Sequence, residues 1–129
     1  MRKFEIRTRR RTDMIDITAK VREAVRAEGN ASGICTVFVP HTTAGVTINE
    51  NADPDVQRDI LAELKKVIPF DDHYAHREGN SAAHIKTALT GSSVQVIVES
   101  GSLCLGTWQS IFLCEFDGGR TREVWVKIT

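Results

Sequence analysis

From Val94 onward the chain reads as one strand after another, and this constrains the fold more than any other feature. Val94 to Ser100, Leu103 to Leu105, Trp108 to Phe116 and Arg122 to Ile128 are runs rich in β-branched and other apolar residues. Gly101, Gly106 and Asp117-Gly118-Gly119 separate them. Glycines and an aspartate between such runs signal hairpin turns, because glycine accepts positive φ without a Cβ clash. The spacing predicts an antiparallel meander filling the last third of the chain.

The first two thirds add helices to this β framework. Phe4-Glu5-Ile6-Arg7-Thr8 alternates like a half-buried strand, and Met14-Ile15-Asp16-Ile17 reads as its continuation or partner beyond an arginine-rich turn. Thr18 is placed to cap a helix running to about Glu28, with Val21 and Val25 one turn apart and Gly29-Asn30 as the stop. Gly33 to Val39 is β-branched and apolar, the pattern of a buried central strand, and Pro40 ends its pairing capacity. Gly45 to Ile48 forms a short returning strand. Asp53-Pro54 then pairs an N-cap with proline at the first helical position. Val56, Ile60, Leu64 and Val67 give that helix one apolar face, and Pro69 closes it. After an irregular histidine-rich segment, Asn80 or Ser81 opens a shorter helix that ends at Thr90-Gly91. Helices interspersed with strands and followed by a meander read as α+β.

At 129 residues the chain is expected to form one domain over residues 1–129, large enough to bury a genuine core. Seventeen basic residues balance seventeen acidic ones, so no net field favours nucleic acid or an anionic membrane. The basic run from Arg7 to Arg11 adjoins an alternating strand and reads as a solvated edge in preference to a nucleic-acid arm. No apolar stretch approaches the roughly 20 residues of a membrane helix, and no signal-peptide core follows the N-terminal charges. The three cysteines, Cys35, Cys104 and Cys114, lack CxxC spacing and lie in apolar segments. Reduced thiols and a cytoplasmic location are the expectation.

The chemistry-bearing residues concentrate in the middle of the chain. All four histidines, His41, His73, His76 and His84, fall there with acidic residues threaded between them. Imidazoles and carboxylates bind transition metals and move protons near neutral pH. His41 directly follows a strand, where a stiff scaffold presents it beside Thr42 and Thr43; a ligand site and a hydroxyl-capped loop turn are both open. His76 and His84 are eight residues apart with Gly79-Asn80 between them, so only a fold-back would unite them, with Glu78 alongside. Asp71-Asp72-His73 has the composition of a solvated turn. The helix opening at Asn80-Ser81 offers free N–H groups to an anion, with Lys86 nearby. Trp108 and Gln109 are able to stack on and hydrogen-bond a planar ligand, or simply pack at a turn. Glu50, between Asn49 and Asn51, is either a proton acceptor or metal ligand or else loop chemistry. Glu115 sits in an apolar strand, turned outward or inserted into a site. Buried there, its pKa is expected to rise, which suits a general acid or base.

These residues occur in blocks that resemble the YjbQ family, described as secondary thiamine-phosphate synthase-like. Phe38-Val39-Pro40-His41-Thr42-Thr43-Ala44 and Asn49-Glu50-Asn51-Ala52-Asp53-Pro54-Asp55-Val56 resemble its first block. His76-Arg77-Glu78-Gly79-Asn80 and Ala83-His84-Ile85-Lys86 look like the second. Ser93, Val96, Val98, Gly101, Gly106-Thr107-Trp108-Gln109 and Ile111 fit the third position by position. The blocks span nearly the whole chain in order.

The resemblance implies a compact single α+β domain with an antiparallel β-sandwich-like core and two to three helices, assembled as a homotrimer. It also implies a pocket near the subunit interface and a divalent metal, zinc or magnesium, with His41, His76 and His84 as ligands. Glu50, Glu78, Gln109 and Glu115 then become candidate catalytic groups. Thr42, Thr43, Asn80, Lys86 and Trp108 become candidate binders of a small anionic or phosphorylated ligand. The associated reaction is thiamine phosphate synthesis, in which a pyrimidine diphosphate loses pyrophosphate to a thiazole nitrogen; it demands neutralisation of the leaving group. The competing expectation is a non-catalytic ligand-binding or assembly module.

Overall fold

The computed structural model describes all 129 residues. Eleven elements follow in order: β1 (Arg2–Arg7), β2 (Asp13–Asp16), α1 (Thr18–Arg26), β3 (Gly33–Phe38), β4 (Ala44–Glu50), α2 (Pro54–Val67), α3 (Ser81–Thr90), β5 (Ser93–Glu99), β6 (Ser102–Leu103), β7 (Gln109–Glu115) and β8 (Thr121–Ile128). They form two antiparallel sheets. One has five strands in the order β1-β8-β3-β5-β6, the other three in the order β2-β7-β4. The expected α+β fold with two to three helices and a layered β core is what the chain adopts.

The main core lies between the sheets and under α1. Cys35 and Val37 of β3, Val96 and Val98 of β5, and Val124 and Val126 of β8 face Val46 of β4 and Ile111 and Leu113 of β7. Val21 and Val25 of α1 plug one side of this layer, both fully buried. A second, smaller core covers the other face of the three-stranded sheet, where Phe112, Cys114 and Phe116 meet Ala83 of α3, with Leu61 and Leu64 of α2 packed on them. Strand β7 therefore has both faces buried. Its odd-numbered residues enter the main core and its even-numbered ones the second, as a period of two requires. That explains why Ile111 to Phe116 reads as an unbroken apolar run interrupted only by Glu115.

The expected meander is only partly realised. β5 and β6 do form a two-residue hairpin, with Glu99 opposite Ser102 and both Ser100 and Gly101 at positive φ (48° and 80°). Strand β7, however, leaves this sheet and pairs with β2 and β4. Gly106 and Asp117-Gly118-Gly119 are thus crossings between sheets, not hairpin turns. Likewise β2 pairs with β7 and not with β1. Two-sided burial drives both departures, since the β7 run has more apolar surface than a one-faced meander strand is able to cover.

Thr18 is also used differently from the expectation. α1 has Ile17 at its N-cap position and no side-chain cap. The Thr18 hydroxyl instead accepts from the Ile111 N–H at 2.8 Å, fastening α1 to β7. α2 follows the sequence reading closely: the Asp53 carboxylate accepts from the Asp55 N–H at 2.9 Å. Its apolar stripe is less buried than expected, and Val67 is 65% exposed.

Three chain crossings between the sheets gather at one end of the molecule. β1–β2 (residues 8–12), β3–β4 (39–43) and β7–β8 (116–120) all lie beside the Ala44–Glu115 and Arg7–Thr121 ends of the ladders. The Arg-rich run is one of these crossings; Thr8 N–H donates to Arg120 O and Gly118 N–H to Arg11 O. The opposite end of the small sheet carries Asp16, Glu50 and Gln109.

Candidate functional site

A mainly polar groove of about 360 Å³ opens at the end where the crossings meet. Pro40, His41, Thr42 and Thr43 come from the β3–β4 crossing, Arg120 from the β7–β8 crossing and Arg122 from the start of β8, and Glu78, Asn80 and His84 from the approach to α3 and its first turn. Six of the residues singled out from sequence, His41, Thr42, Thr43, Glu78, Asn80 and His84, are thus brought together. Arg120 and Arg122 were missed.

The groove rests on a buried ion pair. The Glu115 carboxylate, 0% exposed, accepts from Arg122 Nε at 2.8 Å and from Arg122 Nη2 at 2.5 Å. It also accepts from the Thr8 hydroxyl at 2.6 Å and from the Asp117 N–H at 3.0 Å. Arg122 Nη2 further donates to the Thr43 hydroxyl at 2.8 Å and to Thr43 O at 3.2 Å, which fixes the β3–β4 crossing. Burial alone raises the Glu115 pKa, but the hydrogen bonds from Arg122, Thr8 and the Asp117 N–H, together with the Arg122 charge, outweigh it and hold it below the ordinary value. This corrects the expectation of a raised value. Glu115 is a fixed anion that positions Arg122, and it has no spare lone pair to exchange a proton with a ligand.

His41 is half-buried, and its Nε2 accepts from the Glu123 N–H at 2.8 Å. That bond uses the Nε2 lone pair and leaves Nδ1 to carry the proton of the neutral ring. Burial first, and the neighbouring Arg122 charge second, hold its pKa below 6.5. His41 therefore presents a neutral imidazole to the groove at neutral pH.

Beside Arg120, Asn80 Nδ2 donates to Asp117 Oδ2 at 3.0 Å, and Arg120 Nη2 donates to the same oxygen at 2.8 Å. The loop fold-back does unite His76 and His84: their rings meet edge to face with centroids 5.4 Å apart. Glu78 stands 3.8 Å from His76 Nε2. His76 itself lines an adjoining shallow cleft with Tyr74, Ser81 and His84. A single ion bound by all three histidines does not fit this arrangement. No three His, Cys, Asp or Glu side chains converge within metal-holding reach, and the Nε2 of His41 is already engaged.

Four further candidates lie elsewhere. Glu50 pairs with Gln109 at the far end of β4, six residues from Ala44, roughly 20 Å away at about 3.4 Å per residue. Trp108, 64% exposed, and Gln109 share that end, where Gln109 Oε1 accepts from the Gly106 N–H at 2.8 Å and shapes the turn. The Glu50 backbone carbonyl accepts from Gln57 Nε2. Lys86 points away from the groove into the α2–α3 layer, 3% exposed, with its pKa lowered by burial and by Lys65. It is not positioned to hold an anion in the groove. His73 is exposed on the solvated turn, as expected.

The class defined by this fold and groove is a small α+β protein with a polar cleft where two antiparallel sheets exchange strands. The chain belongs to the YjbQ-like UPF0047 family, whose model matches residues 2–129. It is 49% identical over 129 residues to the UPF0047 protein YugU of Bacillus subtilis, covering 99% of this chain and 98% of that one. A UPF0047 protein of Methanocaldococcus jannaschii is also 49% identical, over 126 residues, with 98% and 91% of the two chains covered. Among solved structures, an uncharacterized conserved protein of the same family from Clostridium acetobutylicum superimposes with a TM-score of 0.97 at 55% identity, both chains covered in full. A conserved hypothetical protein from Thermus thermophilus gives 0.93 at 42% identity, again over both full chains.

Proposed function

We propose that the groove binds a phosphate or similar anionic group of a small molecule and acts on it. The observation that carries this reading is the pair Arg120 and Arg122, braced by Asp117 and Glu115 so that their remaining N–H donors are held in fixed directions. Bracing matters because the carboxylates offset much of the charge while the guanidinium geometry is retained for an oxyanion. The hydroxyls of Thr42 and Thr43 add donors, and α3 begins without a side-chain cap, leaving N–H groups free at that end. His84 and Glu78, which line the same groove, are the groups available to move a proton.

Isothermal calorimetry with inorganic phosphate and pyrophosphate tests this directly. Arg120→Ala is expected to weaken binding about tenfold or more, the loss of a charge-assisted hydrogen bond. Equal affinity in wild type and variant would remove the reading. Turnover of a pyrimidine diphosphate and a thiazole phosphate to thiamine phosphate is the finer, transferase form of the proposal. Trp108 lies too far from the groove, beyond the opposite end of β7, to stack on a pyrimidine bound at the same chain's arginines. A divalent ion in this reaction would have to recruit ligands beyond the pocket histidines as they stand. Metal analysis of the purified protein, with His84→Ala beside wild type, measures this independently.

We further infer self-association, as a homotrimer, in the cytoplasm. The outer face of the five-stranded sheet carries Ile34, Phe38 and Ile97, 36%, 38% and 56% exposed. All three cysteines are free, which agrees with a reducing compartment. No helix is long and apolar enough to cross a membrane. Light scattering reads the assembly: a mass near that of one chain would exclude the trimer.

A further inference from the structure

The second core is not closed. Helix α2 carries an apolar stripe, yet none of its residues is fully buried. A cleft of about 320 Å³ is lined jointly by α2, α3 and the three-stranded sheet. Ile60, Leu61 and Leu64 line it from α2, and Leu89, 69% exposed, from α3. Met14 of β2, Cys114 of β7 and Phe116 just beyond it line it from the sheet. Protein interiors pack as densely as organic crystals, so an apolar cleft of this size is a place for a small molecule to complete the packing. It shares no residue with the arginine groove.

The lining defines what fits. None of its ten residues is a carboxylate, ammonium, guanidinium or imidazole group, and burial keeps the Cys114 thiol protonated, pushed up to about 12. An ion entering the cleft would lose its hydration with no counter-charge to offset the loss. The polar groups are Thr47, Asn49 and Thr90. The Asn49 oxygen accepts from the Glu50 N–H at 2.8 Å, which leaves Asn49 Nδ2 and the two hydroxyls for a ligand. The Phe116 ring and the sulfurs of Met14 and Cys114 favour an aromatic body. The volume holds about ten non-hydrogen atoms at about 30 Å³ each. We infer that this cleft is a second binding site, for a small uncharged aromatic molecule that carries one hydroxyl or carbonyl group.

Amide NMR titrations with 2-phenylethanol, ethylbenzene and phenylacetate test this, since the three are similar in size and differ in polar group. Both neutral probes are expected to give saturable shifts at the Thr47, Leu61 and Leu89 amides. 2-Phenylethanol is expected to bind about two- to tenfold more tightly than ethylbenzene, the ratio of one hydrogen bond. Phenylacetate is expected to bind at least about tenfold more weakly than 2-phenylethanol. Inorganic phosphate is expected to leave these amides unmoved, so the anion groove and this cleft stand or fall separately. Thr47→Phe, which puts a ring into the cleft, is expected to abolish binding, with its fold checked by melting. Leu89→Ser, at an exposed position, is expected to weaken binding about threefold or more through lost apolar contact, and it decides alone if Thr47→Phe does not fold. No saturable shift from either neutral probe, or affinity unchanged in both variants, overturns the site. Phenylacetate binding as tightly as 2-phenylethanol overturns the uncharged ligand, and ethylbenzene doing so overturns the polar group. Cleft amides that shift with protein concentration in the absence of probe would make the occupant a second copy of the chain, and overturn the small molecule.

Discussion

Replacing Arg122 by methionine isolates the buried ion pair. Glu115 is 0% exposed, and the substitution removes its two contacts at 2.8 and 2.5 Å, leaving only the Thr8 hydroxyl and the Asp117 N–H. Stranding a charge in this way costs about 3–5 kcal/mol, whereas replacing both members with apolar residues of similar size is often neutral or better. Arg122→Met is therefore expected to lower unfolding free energy by about 3–5 kcal/mol, and Glu115→Leu combined with Arg122→Met by much less. Urea unfolding followed by tryptophan fluorescence, at one protein concentration for all variants, measures the difference. A loss below about 1 kcal/mol for Arg122→Met, or a double variant as unstable as the sum of the singles, would refute the reasoning. The double variant is also expected to lose phosphate binding while staying folded, because the guanidinium is then absent from the groove.

The same pair sets an acid limit. Glu115 is held below its ordinary 4.5, so its contribution is fully present above that pH and is lost as pH falls through the folded-state value, read as a falling melting temperature in acid. His41, held below 6.5, resists protonation in the folded chain, so stability declines below about pH 6.5, and His41→Gln should flatten that part of the profile. At Gly45 an added Cβ would stand 2.5 Å from Gly91 O, a backbone atom, so Gly45→Ala should cost about 1–3 kcal/mol in urea unfolding. Gly79 has open space but φ of 77°, so its alanine variant should cost only about 1 kcal/mol; equal losses at both sites would contradict the packing argument. Burial pushes the thiols of Cys35 and Cys114 up to about 11 and about 12, while Cys104 is exposed. A thiol reagent should therefore label one cysteine per native chain and three after unfolding, and rapid labelling of all three in the native state would contradict the burial.

Much of the fold was legible because its strands and helices carry their own periodicity. Val21 and Val25, the Asp53-Pro54 start and the Ser100-Gly101 hairpin act locally, and local rules read them. The pairing partners of β2 and β7 were not legible, because which sheet a strand joins depends on covering apolar surface over long chain separations. In the site, His41, Thr42 and Thr43 were readable from their place after a strand. Glu50 belongs to the same sequence block as His41, and Trp108 and Gln109 to another, yet all three sit together at the far end of β4, and block membership carries no distance. Arg122 was missed although a signal existed. On β8 it shares parity with Val124 and Val126, as Glu115 on β7 shares it with Ile111 and Leu113. Opposite charges facing inward at the ends of two apolar alternations point to a buried pair through the alternation alone.

Strand β7 stands between two cores and ends at Glu115. Its amides are shielded by β2 and β4 on either side, so exchange of their hydrogens with solvent requires something close to global unfolding. The floor of the groove inherits that slowness. Residues 76–80 at the groove's edge belong to no strand or helix, so their amides are expected to exchange through local opening alone, long before those of β7.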